Sequence, residues 1–349
     1  MIASTLVDVT PTPPAPLTDR LGRPLTDVRI SVTDRCNLRC PYCMPREVFG
    51  PEHAFLDRDE LLTFEEIARV VVAFVSVGVD KVRLTGGEPL LRRGLHDLVA
   101  MLTGIEGLDD IALTTNGVLL AHQAEALATA GLNRVTVSLD ALDDETFQLA
   151  ADAKVPVQSV LDGIEAARVA GLDPIKINTV IRRGLNEHEI VPLAGWARDN
   201  GLRLRFIEYM DVGTTNGWQK DDVVSADEIL AAIDNEWPTE LVAPDREGQP
   251  AEQYRYLDGG GTVGVIASVT KPFCRTCSRA RMSAVGELFT CLFATSGHDL
   301  RPLVRDGATE GELAAAIRAV WSGRTDRYSE ERAGAQVVRP RVEMSYIGG

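Results

Sequence analysis

Cysteines carry the first chemical signal. Cys36, Cys40 and Cys43 stand in the run Cys36-Asn37-Leu38-Arg39-Cys40-Pro41-Tyr42-Cys43. Iron–sulfur cubes are held by thiolates and normally take four of them. Three can bind three irons of a [4Fe–4S] cube and leave the fourth iron open to another ligand. A structural zinc knuckle is the competing reading. It would want a fourth Cys or His at short spacing, and the nearest His is His53. A second set, Cys274-Arg275-Thr276-Cys277 followed by Cys291, again has three cysteines. It reads as a second cube with one open iron, or as a zinc site completed by His298. Arg279 and Arg281 follow at once. Two guanidiniums beside a cluster can grip phosphates bidentately; taken alone they are a basic turn.

The elements that must position these residues alternate. β-branched runs occur at Val28–Thr33, Lys81–Thr85, Ile111–Thr115, Arg134–Asp140, Ile175–Ile181 and Leu202–Met210. Helical stretches such as Phe64–Val77, Ala121–Ala130, Val160–Ala170 and Glu187–Asn200 fall between them. Gly78, Gly131, Gly171 and Gly201 follow such stretches, as left-handed caps do. Strands alternating with helices predict a parallel sheet with right-handed crossovers. The first cysteine run then lies on the loop after the first strand, where barrel sites are built.

The strands share an unusual parity. One face is apolar: Ile30/Val32, Val82/Leu84, Ile111/Leu113, Val135/Val137/Leu139, Ile175/Ile177 and Leu204/Phe206. The other carries Arg29, Lys81, Arg83, Thr114, Thr136, Ser138, Lys176, Asn178, Arg203 and Arg205. Alternate residues face opposite sides of a strand. The apolar side must meet the helices, so the cationic side lines the lumen. A closed eight-stranded barrel fills that lumen with branched apolar residues. Several cations there predict an open, roomy barrel around a polyanion. An antiparallel sheet with one wet face is the alternative.

The 349 residues suffice for one large domain or two ordinary ones, and 45% are apolar. Net charge is −15. That argues against nucleic-acid or membrane-surface binding through bulk charge. No charged segment followed by an apolar run opens the chain, so no secretory leader is expected. The apolar stretch Ile67–Val79 contains Arg69 and is too short to span a bilayer. A cytoplasmic location is expected, where six cysteines serve as ligands more readily than as disulfides. Residues 1–26, with Pro11, Pro13, Pro14 and Pro16, read as an extended tail. Residues 27–235 read as the barrel, and 236–349 as a smaller region. That region has a strand at Val263–Ser268, a helix at Glu310–Trp321 and the terminal Gly348-Gly349.

The first cysteine run, with the aromatic Tyr42 before its third Cys and Thr85-Gly86-Gly87-Glu88-Pro89 after the second strand, resembles the radical S-adenosylmethionine (SAM) superfamily. With the second set, Thr215-Asn216-Gly217-Trp218 and the Gly-Gly end, the chain from about Asp27 to Gly349 resembles the GTP 3′,8-cyclase family of molybdenum-cofactor biosynthesis. The resemblance implies an incomplete (β/α)6 TIM-like barrel closed by a C-terminal module carrying a second cluster. It implies two [4Fe–4S] clusters, with SAM on the open iron of the Cys36/Cys40/Cys43 cluster. GTP would meet the Cys274/Cys277/Cys291 cluster. A 5′-deoxyadenosyl radical would take the ribose 3′ hydrogen, and the 3′ carbon would attack guanine C8 to give 3′,8-cyclo-7,8-dihydro-GTP. Cyclic pyranopterin monophosphate synthase would take the product, and an electron donor is implied.

Carried over by motif, SAM contacts fall on Tyr42, Gly87, Ser138 and Met210. GTP contacts fall on Arg29, Arg83, Thr114, Lys176, Arg205, Arg279 and Arg281. The family's Gly-Gly end reaches into the active site, which assigns that role to Gly348 and Gly349. The stretch Asp152–Gln158 departs from the family pattern. A peptide-modifying radical SAM enzyme would carry more C-terminal cysteines, and an electron-transfer iron–sulfur protein would not need a cationic lumen. The residues leave open whether the chain pairs as a homodimer.

Overall fold

The computed structural model describes residues 16–244, 248–332 and 340–349; Pro11, Pro13 and Pro14 lie outside them. Among the described residues twelve strands form one sheet. They are β1 (Asp27–Ser31), β2 (Lys81–Thr85), β3 (Asp110–Thr115), β4 (Arg134–Ser138), β5 (Lys176–Ile181), β6 (Arg203–Glu208), β7 (Thr239–Val242), β8 (Glu252–Tyr256), β9 (Thr262–Ile266), β10 (Arg279–Met282), β11 (Glu287–Phe289) and β12 (His298–Asp299). Their order is β12-β11-β10-β1-β2-β3-β4-β5-β6-β9-β8-β7. The run from β10 through β9 is parallel throughout. This is an α/β fold consistent with a partial barrel. Residues 236–349 supply strands to both edges of this one sheet: β9 joins β6 and β10 joins β1.

The apolar parity meets the helices as expected. Val28, Ile30, Val82, Leu84, Leu113, Val135, Val137, Ile177 and Phe206 are fully buried. Each such side chain contributes roughly 1.5–3 kcal/mol relative to exposure. The helix Phe64–Val75 turns Ile67, Val70, Val71 and Phe74 toward them. That is the i, i+3, i+4, i+7 stripe of a core-facing helix. Thr63 and Glu66 close its start as a capping box. Thr309 and Glu312 do the same for Glu310–Ser322. The expected stops Gly78, Gly131, Gly171 and Gly201 all have positive φ. The departure at Asp152–Gln158 is a helix break: one helix ends at Ala151, Asp152 takes φ 41°, and the next begins at Gln158.

The N-terminal expectation needs correction. Residues from 16 onward pack. Leu17 donates its N–H to Val77 O, Leu25 to Leu17 O, and Thr18 bridges Pro24. Leu25 is fully buried and Arg23 is 2% exposed. Pro16 and its neighbours suggested an extended tail, but a buried Leu and Arg outweigh local stiffness. Among the described residues no helix is long and apolar enough to cross a membrane.

Candidate active site

A cavity of about 310 Å³ opens inside the sheet, on the polar parity. Cys36, Cys40, Tyr42 and Cys43 enter it from the loop after β1. Thr85, Gly86, Gly87 and Glu88 enter from the end of β2, Asn116 from β3, Asp140 from β4 and Met210 from β6. All sit at C-terminal strand ends, where barrel sites are built. Arg29, Arg83, Thr114, Ser138, Arg205, Arg279 and Arg281 line the walls, and Cys274, Cys277, Cys291 and Gly349 complete them. The two cysteine sets, 231 residues apart or more in sequence, thus face one cavity. Lys176 does not reach the cavity wall. It is buried among Arg205, Arg134, Arg83 and Lys81.

Gly86 and Gly87 allow the β2 loop to lie on the cysteine loop. A Cβ on Gly86 would stand 2.5 Å from Thr33 O, and one on Gly87 2.4 Å from Arg35 O. No side chain fits there. The backbones pair instead, Gly87 N–H to Thr33 O and Glu88 N–H to Arg35 O. The buried Glu88 carboxylate ties the third strand in, accepting from Thr115 Oγ1 and Asn116 N at 2.7 Å each. Burial pushes its carboxyl up to about 7.

At the first cysteine set, Cys36 Sγ accepts from Leu38 N at 3.4 Å and from Asn116 Nδ2 at 3.8 Å. Burial pushes Cys36 up to about 11, and Cys40 and Cys43 also lie above the usual thiol range. Such thiols become ligands only where a cationic centre displaces the proton. Among the described residues no three Cys, His, Asp or Glu side chains are gathered to hold a single metal ion. A cube asks for less crowding, since each thiolate takes a different iron. Tyr42 Oη donates to Asp140 Oδ2 at 2.8 Å, and Asp140 Oδ1 accepts from Val180 N at 2.8 Å.

The second set is electrostatically different. Burial would raise Cys277, but Arg279 and Arg324 outweigh it and hold the thiol down to about 6. Arg279 Nη2 lies 3.6 Å from Cys277 Sγ. Cys291 is pushed up to about 11 by burial. The register aligns Arg281, Arg29 and Arg83 side by side across β10, β1 and β2. Burial, then Arg281, Arg279 and Arg83, press the Arg29 guanidinium well below its usual range. Arg29 Nε and Arg279 Nε are buried without a hydrogen-bond partner. Crowded, under-neutralised cations cost energy unless an anion joins them. This cluster therefore suits a polyanion.

The C-terminal segment is fastened over the cavity. Arg281 Nε donates to Gly348 O at 3.2 Å. Glu343 accepts from Thr214 N at 2.9 Å and from the Thr214 and Thr215 hydroxyls at 3.0 Å each. Arg341 pairs with Asp211 at 3.0 Å. The block Thr215–Trp218 folds back on Met210: Asn216 Nδ2 donates to Met210 O at 3.1 Å, and Trp218 Nε1 to Tyr209 O at 2.9 Å. Sequence reasoning missed Arg23, Asp140, Arg324 and Glu343. Arg23 has a local partner in Asp19, but the contacts that bring all four to the site, Arg23 to Cys274, Arg324 to Cys277, Asp140 to Tyr42 and Glu343 to Thr214, are long-range.

Residues 30–197 match the Radical SAM superfamily, and residues 202–330 match Molybdenum Cofactor Synthesis C. The SAM-bound structure of SuiB from Streptococcus suis superposes with a TM-score of 0.60 at 14% identity, over 84% of this chain and 68% of that one. Fold and profile together define a radical SAM protein. Closer relatives narrow this. A GTP 3′,8-cyclase of Acidothermus cellulolyticus is 56% identical, over 96% of this chain and 99% of the relative. One from Staphylococcus carnosus is 46% identical, over 95% and 99%. The chain belongs to the GTP 3′,8-cyclase family.

Proposed function

We propose that this protein converts GTP to 3′,8-cyclo-7,8-dihydro-GTP, the first step of molybdenum-cofactor biosynthesis, using two [4Fe–4S] clusters and SAM. The observation that carries this reading is one cavity lined by two cysteine triplets and a row of buried arginines. Cys36, Cys40 and Cys43 would hold the first cluster, and Cys274, Cys277 and Cys291 the second. Bound there, cluster and SAM supply an electron and a 5′-deoxyadenosyl radical for hydrogen abstraction.

The chain's own residues bind and orient. Gly87 would present backbone to the SAM amino group, and Tyr42, Ser138 and Met210, which line the same cavity, would contact SAM. Tyr42 is held by Asp140, which fixes its ring. Arg29, Arg83, Arg279, Arg281 and Arg205 would take the triphosphate. Arg83 Nη1 is set by the Thr114 and Thr136 hydroxyls at 3.0 Å each. In a cavity screened from bulk water each such contact gains strength. Lys176, below the wall, would join only if its side chain moves toward the phosphates. Gly348 and Gly349 would reach the reacting ribose from above, with Gly348 O held by Arg281. In this reading residues 27–235 hold SAM and 236–349 bring the second cluster. An external donor would supply the electron to the first cluster, and cyclic pyranopterin monophosphate synthase would take the product.

The deciding experiment is anaerobic. The protein is reconstituted with iron and sulfide, reduced and given SAM, and 5′-deoxyadenosine is quantified with and without GTP. Strong stimulation by GTP, with a cyclised nucleotide formed, is expected. SAM cleavage indifferent to GTP would move the substrate elsewhere.

A further inference from the structure

The loop carrying Cys274 and Cys277 has almost no regular backbone; a single 3-10 turn spans Cys274–Thr276. What fixes it is a buried ionic knot reaching in from both ends of the chain. Asp19, Arg23 and Arg324 are 7%, 2% and 4% exposed. Asp19 Oδ1 accepts from Leu21 N and Arg23 N at 2.9 Å each, closing the N-terminal turn. Its Oδ2 takes Arg23 Nε at 2.6 Å and stands 3.5 Å from Arg324 Nη1. From this shared carboxylate the two guanidiniums reach the cysteine loop.

Arg23 Nη1 donates to Cys274 O at 2.9 Å and to Asp326 O at 2.7 Å. Arg324 Nη1 donates to Cys277 O at 2.8 Å. Asp326 Oδ2 accepts from Thr290 Oγ1 at 2.6 Å, next to Cys291. Trp321 backs the knot: its Nε1 donates to Arg23 O at 3.2 Å, and Arg324 lies over its ring at 4.4 Å. Thus each cysteine of the second set is tethered, directly or through one neighbour, to one group of charges. Burying two cations and a carboxylate is expensive, and apolar packing would hold a loop more cheaply. Charge-assisted bonds fix geometry as well as energy.

We propose that Asp19, Arg23 and Arg324 are positioning residues that preform the Cys274/Cys277/Cys291 set for its cluster. Arg23 does this with two hydrogen bonds from one nitrogen. A lysine would keep the charge and lose the planar fork. The proposal rests on reading these three cysteines as cluster ligands, and the test keeps the two apart.

Full-length Arg23→Met, Arg23→Lys and Arg324→Met are prepared alongside the parent chain. Each is also made with Cys36→Ser, Cys40→Ser and Cys43→Ser, so that any cluster signal comes from the second set. Iron content and electron paramagnetic resonance are read after anaerobic reconstitution. Thiol alkylation of the iron-free chains is followed site by site by mass spectrometry. In the background with all six cysteines, Arg23→Met and Arg324→Met should lose about half the bound iron, since one of two cubes fails to load. The signal of the first cluster should persist.

Alkylation of Cys274, Cys277 and Cys291 should quicken on the order of tenfold, the equivalent of one charged hydrogen bond, with Cys36, Cys40 and Cys43 unchanged. Arg23→Lys should fall between parent and Arg23→Met. Normal second-cluster loading with parental alkylation overturns the proposal. So does equal damage at both clusters with a lowered melting temperature, which would mark a merely structural role. A parent chain that loads only the first cluster overturns the cluster reading itself.

Discussion

Gly348→Ala tests the seating of the C-terminus. Gly348 adopts φ 76°, and an added Cβ would lie 2.0 Å from Thr85 Oγ1. That is about 1.4 Å inside ordinary contact. Thr85 is 2% exposed and sits in β2, so it has little room to yield. The tail must move instead. An L-residue at positive φ costs roughly 1–2 kcal/mol. Losing the bond from Arg281 to Gly348 O costs about 1.5–3 kcal/mol more, because the donor is charged. Together these reduce the seated fraction by roughly 60- to 4,000-fold, at 1.4 kcal/mol per tenfold. Thr85→Ala removes Oγ1 and leaves the new methyl 3.2 Å from the Cβ of residue 85, a tight contact that a shift of a few tenths of an ångström relieves. The double variant should then bear the φ cost alone, about 5–30-fold. The assay is cyclised nucleotide per unit of bound iron, with 5′-deoxyadenosine counted in parallel and Thr85→Ala alone as reference. Gly348→Ala at parental rates, or a double variant no better than the single, refutes the reasoning.

Replacing Arg279 and Arg281 together by Ala should weaken GTP binding by about 10²-fold or more, from two charged contacts of roughly 1.5–3 kcal/mol each. SAM affinity should stay within about twofold, and calorimetric titration reads both. Glu343→Ala empties the cradle at Thr214 and Thr215. Amide exchange across residues 340–349 should quicken by about tenfold or more, and unchanged protection would show that the strap holds itself. Burial, then Arg205 and Arg134, press Lys176 down to about 6. Its pKa in the unfolded chain is ~10.4, so the unfolded state binds the extra proton between these values. Stability of the free protein should therefore rise with pH from about 6 toward ~10. A triphosphate that draws the Lys176 side chain to the cavity restores its charge, so GTP binding at pH 7.5 should then take up about one proton. Calorimetry in buffers of different ionisation enthalpy detects the uptake, and Lys176→Met should abolish it.

The sequence by itself determined the layered fold and the inner face. Period-two alternation in the six runs from Val28 to Met210, with helical stretches between them, favoured a parallel sheet with its apolar parity under helices over an antiparallel sheet with one wet face. The same alternation aimed Arg29, Arg83 and Arg205 inward. Cysteine spacing is local, so both triplets were legible. Tertiary structure decided what depends on contacts far apart in the chain. It placed β9 and β10 on opposite edges of the sheet, which brings Arg279 and Arg281 beside Arg29. It drew Asp19 and Arg23, in a stretch that reads as tail, against Cys274 and Arg324. It set Lys176 behind the cavity wall and closed Glu343 onto Thr214. Such pairings leave no local pattern, because their energy comes from packing and desolvation that only the folded chain provides.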